Sequence, residues 1–151
     1  MYNFKIKNAL QDLIIRLQDA EKGYKEIYNG TSNEIFKKWM NKYASERHRF
    51  HRELETESAK LGGNPEVKTS FLGELHRMFI DFKLSNIDDS FDSIVSEVER
   101  GGSKLIDDYQ NVIDNVEMTS DLKLLLEAQK EKIQFEISSL KQLNEELLAV
   151  C

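Results

Sequence analysis

The sequence is poor in chain breakers. One proline, Pro65, and seven glycines occur in 151 residues, and four of the glycines form the doublets Gly62-Gly63 and Gly101-Gly102. A β-sandwich or barrel needs turn signals roughly every 8–12 residues. Long stretches here have none, which excludes an all-β fold. Cysteine is almost absent. The single Cys151 cannot close an internal disulfide, so a disulfide-stapled secreted scaffold is excluded. Long apolar runs are missing too. The longest is Leu147 to Cys151, and the others do not exceed runs such as Leu13-Ile14-Ile15. A membrane span needs about 20 apolar residues. The opening segment, Met1 to Lys7, has no apolar core of signal-peptide length. The expectation is a cytoplasmic chain with no membrane partner.

An excess of positive charge is also lacking. The chain has 27 acidic and 21 basic residues, for a net charge of −6. Such a chain repels a phosphate backbone unless it carries a strong basic patch. The densest candidate is Arg47, His48, Arg49, His51 and Arg52. It is interleaved with Glu46, Glu53 and Glu55 and reads as a mixed-charge solvated face. No nucleic-acid partner is expected.

What remains is apolar residues at helical spacing. Charged residues make up 32% and apolar residues 40% of the chain, a mixture that suits amphipathic helices. The periodicity predicts helices over about 3–28, 32–61, 69–84, 87–116 and 120–149. The first carries Leu10, Ile14, Leu17, Tyr24 and Tyr28, and Asn29-Gly30 stops it. Thr31 with Glu34 fits a capping box for the second. The seam of the second reads Phe36, Met40, Tyr43, Arg47, Phe50, Leu54, and Gly62-Gly63-Asn64-Pro65 ends it. Thr69 caps the short helix. The third long helix carries Phe91, Val95, Val98 or Glu99, Gly102, Ile106, Tyr109 and Ile113. Gly101-Gly102 in its middle marks a close helix approach or a kink. Thr119 or Ser120 caps the last helix, whose row is Leu122, Leu126, Ile133, Ile137, Leu140, Leu143 and Leu147.

The first and last pairs of long helices have short connections, so each pair is an antiparallel hairpin. The segment from Gly62 to Asn86 is long enough to cross the length of a bundle. One all-α domain over residues 1–151 follows, a four-helix bundle whose long crossover contains a short extra helix. Two hairpins joined by one long crossover is the ferritin-like arrangement. An up-down bundle with a docked helix is the alternative. Glu21-Lys22-Gly23 and Glu99-Arg100-Gly101 form a faint repeat between the two hairpins.

Polar residues in the seams are the candidates for function. Glu21, Arg47, Glu99 and Gln134 all fall near mid-helix. A buried carboxylate must be protonated, paired or metal-bound. Arg47 can bridge two carboxylates with its guanidinium, so a buried network of Glu21, Arg47, Glu99 and Gln134 is one reading. The other sets these residues at the seam edge, with Arg47 extending to solvent along its stem. His48 and His51 share a helix face with Glu55 nearby, a spacing that can bind a transition metal. The neighbouring arginines oppose this, and surface histidines are expected. His76 reads as a partly buried helix residue. No nucleophile elbow, phosphate loop or dinucleotide fingerprint is present.

The segments Glu21-Lys22-Gly23-Tyr24, Leu61-Gly62-Gly63-Asn64-Pro65, Leu72-Gly73-Glu74-Leu75-His76-Arg77 and Glu97-Val98-Glu99-Arg100-Gly101 carry a resemblance that covers nearly the whole chain. The sequence resembles bacterial ferritin-like four-helix-bundle proteins with a domain of unknown function, distant relatives of rubrerythrin and ferritin. Iron-binding members place one Glu on each of two helices and Glu-x-x-His on each of the other two. The resemblance implies that Glu21 and Glu99 are the single glutamates. The paired positions then fall on Arg47 with Phe50 and on Glu131 with Gln134. A guanidinium displaces a metal there. The resemblance therefore implies the fold without the di-iron chemistry. No catalytic residue, cofactor or bound metal is expected, and the role is that of a non-enzymatic, stress-associated or interaction protein. A second reading is an oxidase or peroxidase binding iron or manganese at Glu21, Glu99 and Glu131. A third is an assembly module, a homodimer that covers Phe71, Phe79 and Phe82 of the crossover helix.

Overall fold

The computed structural model describes residues 2–62 and 91–150. They form four helices: α1 (Tyr2–Gly30), α2 (Glu34–Lys60), α3 (Phe91–Asn115) and α4 (Ser120–Val150). No strand occurs among the described residues, as the scarcity of breakers requires. The expected helix over 69–84 lies outside them, as do Thr69, Pro65, His76, Phe71, Phe79, Phe82 and Cys151. The chain divides into two compact units, Met1–Ile87 and Asp88–Cys151. Each contains one of the two expected hairpins.

In the first unit, three residues join α1 to α2. The amide of Thr31 donates to the Ile27 carbonyl at 3.0 Å, so Thr31 is still tied to the last turn of α1. It therefore does not cap α2 as expected. Asn33 does, in an extended conformation, with Oδ1 accepting from the amides of Ile35 (2.9 Å) and Phe36 (3.2 Å). The Thr31 hydroxyl instead accepts from the Asn33 amide at 3.2 Å and holds the turn. At the other end of α2, Gly62 takes φ of +80°, a conformation that only glycine adopts without strain. Its amide and that of Leu61 donate to the carbonyls of Ala59 and Ser58, closing the helix end.

The seam of α2 is as expected: Phe36, Met40, Tyr43, Arg47, Phe50 and Leu54 are all buried. The buried face of α1 is broader than expected and includes Ile6, Leu13 and Ile27 with Leu10, Ile14, Leu17 and Tyr24. Tyr28 leaves the row. It is 38% exposed, and the Lys37 ammonium sits 5.5 Å from its ring centre. Tyr28 meets Lys37, Tyr24 meets Tyr43, and Glu21 meets His51. The partner number rises as the α1 number falls, so the hairpin is antiparallel.

The second unit repeats this logic. The Thr119 hydroxyl caps α4 by accepting from the Leu122 amide at 3.3 Å. Asp92 meets Asn144, Glu99 meets Lys141, Gly102 meets Ile137, and Tyr109 meets Gln129, again antiparallel. Gln129 fills the gap that the row of α4 left between Leu126 and Ile133. It is buried, and the Tyr109 hydroxyl donates to its Oε1 at 2.6 Å.

The Gly101-Gly102 doublet marks a close approach. A Cβ on Gly102 would lie 2.2 Å from Cδ1 and 3.0 Å from Cγ1 of Ile137, whereas a Cβ on Gly101 would meet nothing within 4 Å. Gly102 lets α3 approach α4 closely; Gly101 leaves the helix more flexible in the unfolded state without a packing gain. Gly101→Ala is expected to stabilise the protein by about 0.5–1 kcal/mol. Gly102→Leu is expected to destabilise it by about 1–3 kcal/mol through overpacking against Ile137. Urea unfolding of the two variants checks the contrast.

Asp19 on α1 is 2% exposed, and neither carboxyl oxygen has a hydrogen-bond partner among the described residues. Burial raises its pKa from the ordinary 3.8 to about 6, although the charges of Lys22 and Arg16 pull the other way. The folded chain therefore retains a proton that the unfolded chain releases above pH 3.8. The contribution of Asp19 to stability falls as pH rises from about 4 to about 6 and is constant beyond. Comparing urea unfolding of the wild type and Asp19→Asn across this window checks the effect. The variant should gain up to about 3 kcal/mol relative to wild type between the two ends, whatever its fixed offset.

Candidate metal centre

The α1–α2 pairing brings one carboxylate against two imidazoles. His48 and His51 are three residues apart on α2 and project from the same side. Glu21 of α1 faces them across the hairpin. Its Oε1 lies 2.8 Å from Nε2 of His51 and 3.2 Å from Nδ1 of His48. The two rings meet edge to face with centres 4.8 Å apart. The second oxygen of Glu21 accepts from the Lys25 ammonium at 2.7 Å, one helical turn further along α1.

The three side chains are graded in exposure: 7% for His51, 12% for Glu21 and 57% for His48. The cluster is thus closed at its base and open at its rim. Burial raises the pKa of Glu21. The hydrogen bonds with Lys25, His51 and His48 and the Lys25 charge lower it more, and it ends below the ordinary value of 4.5. Glu21 is a carboxylate at neutral pH, ready to serve as an anionic donor.

The ligand atoms of Glu21, His48 and His51 all lie within 4.8 Å of one another. Zinc binds imidazole nitrogen and carboxylate oxygen at about 2.0–2.2 Å, which sets tetrahedral donors about 3.4 Å apart. The two Glu21–histidine spacings of 2.8 and 3.2 Å need a slight opening, and the two imidazole donors, within 4.8 Å of each other, need at most a modest approach. Two imidazoles and one carboxylate form a donor set that suits zinc, iron and related ions, with room for a further ligand at the rim.

The expected surface character of the histidines is corrected by this geometry. His48 is exposed, but His51 is buried. Two of the neighbouring arginines are engaged by carboxylates. Arg49 pairs with Glu46 and lies 3.7 Å from Glu53, and Arg52 lies 3.4 Å from Glu55. Arg47 is 1% exposed, with its guanidinium 5.4, 5.9 and 6.0 Å from the rings of Tyr24, Tyr43 and Phe50.

Of the other residues singled out, Glu99 is partly exposed and pairs with Lys141 at 3.1 Å within the second hairpin. Glu131 and Gln134 are both exposed on α4. The buried polar residues of α4 are Gln129, Glu136 and Asn144. Glu21 is engaged by Lys25, His48 and His51. The positions on α2 that face it are thus 48 and 51, one residue on from 47 and 50. One residue is a 100° step around a helix. Arg47 and Phe50 point into the seam, whereas Glu21 stands at its edge and meets the residues at the edge of α2. The partial exposure that a seam-edge residue must have was the missing signal.

No curated protein and no solved structure matches the chain. A family match covers residues 5–115, which include α2, α3, nearly all of α1 and all three residues of the candidate centre. On that match the chain belongs to the family described as a domain of unknown function, DUF2383.

Proposed function

We propose that the protein binds a single divalent transition-metal ion of the zinc or iron class through Glu21, His48 and His51. The observation that carries the reading is the convergence of one carboxylate and two imidazoles from two helices within 4.8 Å. Such an ion ties α1 to α2 and couples metal occupancy to the stability of the first hairpin. The finer reading is a ferritin-like bundle of non-enzymatic, stress-associated character. Its support is the resemblance of the Leu-Gly-Gly-x-Pro and Leu-His-Arg segments. A di-iron site of that class uses two Glu-x-x-His pairs, and this sequence contains none. The mononuclear centre therefore takes the place of the oxidase or peroxidase reading, in which Glu21 would act with Glu99 and Glu131.

Co²⁺ titration of the metal-free protein, followed by visible absorption, tests this. One equivalent should bind with tetrahedral or five-coordinate bands. His48→Ala should remove the bands without loss of fold, because its side chain is mostly in solvent. Zn²⁺ at about 100 times its Kd should stabilise the wild type by about 2.7 kcal/mol against urea. Equal stabilisation of His48→Ala and wild type would overturn the proposal.

A further inference from the structure

The far side of His51 carries a second carboxylate. Nδ1 of His51 lies 3.6 Å from Oε1 of Glu55, one helical turn further along α2. This nitrogen is buried and has no hydrogen-bond partner among the described residues. The other oxygen of Glu55 is turned to Arg52, 3.4 Å away, which leaves Oε1 as the oxygen facing the ring. A buried imidazole nitrogen is costly to leave unsatisfied, and the nearby Oε1 of Glu55 is the acceptor on that side of the ring. A histidine that gives Nε2 to a metal must carry its proton on Nδ1, and that proton needs an acceptor.

Resting on the metal reading above, we infer that Glu55 is the positioning residue of the centre. It accepts the Nδ1 proton of His51 and thereby fixes Nε2 as the metal-donating nitrogen. Glu55 does not itself ligate the ion, because Nδ1 and Nε2 lie on opposite sides of the ring. Its side chain is only 14% exposed, so water competes little for this bond. His48 has no such partner among the described residues. It offers Nδ1 to the cluster at 57% exposure, so its other nitrogen needs no protein acceptor. The centre thus has one fixed imidazole at its base and one adjustable imidazole at its rim.

The test uses the full chain with Glu55→Ala, Glu55→Gln and Arg52→Ala. Co²⁺ affinity is read by competition with a chromophoric chelator. Nitrogen-15 imidazole shifts of the Zn²⁺-loaded protein report the tautomer. Glu55→Ala should weaken Co²⁺ binding about 10–100-fold while keeping one equivalent. Glu55→Gln should recover part of the loss, because its amide oxygen still accepts. Arg52→Ala should bind as the wild type does, which separates the acceptor from its neighbouring cation. His51 should show a protonated Nδ1. Affinity of Glu55→Ala within twofold of wild type, or a His51 protonated on Nε2, would overturn the inference and leave the metal reading standing. A wild type that takes up no Co²⁺ would overturn both.

Discussion

A carboxylate at the edge of a helical seam is only partly hydrated, and the site depends on how Glu21 is held charged there. Its side chain is 12% exposed, enough for burial to push it towards the neutral acid. Three donors keep it ionised. Lys25 comes from its own helix, while His48 and His51 come from α2. The lysine bond is local and sets no tertiary geometry. The imidazole bonds are the ones that fix α1 against α2 at this level. They work only because the apolar seam beside them, with Tyr24 against Tyr43 and Phe36, Met40 and Leu54 buried, has already set the register.

The same register explains why Arg47 is not a surface cation. Its guanidinium sits near three aromatic rings contributed by both helices. A lysine in this place would present a compact, strongly hydrated charge to the same rings. The planar, weakly hydrated guanidinium tolerates an aromatic surrounding far better. The seam thus accommodates one cation among rings and one carboxylate at its edge, each by a different physical means.

The helical class, the two hairpins and the α2 seam were legible because each follows from apolar spacing and from breakers at fixed positions. Phe36 through Leu54 recur every three or four residues, and Gly62 carries the positive φ that its place after a helix demands. The cap at Asn33 was not legible, since Thr31, Ser32 and Asn33 are all good caps and only the carbonyl of Ile27 decides among them. Glu21 was legible as a polar residue in a row, and Gly102 as a close approach. The pairing of Glu21 with His48 and His51 was hidden by the rotation of α2. A row read along one helix gives the face turned to the core, but it does not say which edge residues of the partner reach across. Asp19 was hidden for a related reason. The buried face of α1 extends from Ile6 through Leu17 over more than one stripe, so a residue flanking the main row is also enclosed.

The faint repeat gains meaning from the two hairpins. Glu21 and Glu99 occupy matching positions, each followed two residues later by glycine. Each reaches from the first helix of its hairpin to the second: Glu21 to His48 and His51, Glu99 to Lys141. The donors they meet are chemically opposed. Imidazole can give a lone pair to an ion that the carboxylate also binds, whereas an ammonium is an acceptor-free cation that occupies the place of one. The Glu99 pair is also 41% and 47% exposed, so water screens it and its contribution is small. One repeated glutamate therefore has the surroundings of a metal ligand and the other those of a surface ion pair. Between these two glutamates, the chemistry of the partner side chains favours a metal ligand in the first hairpin, even though the backbone pattern is the same in both.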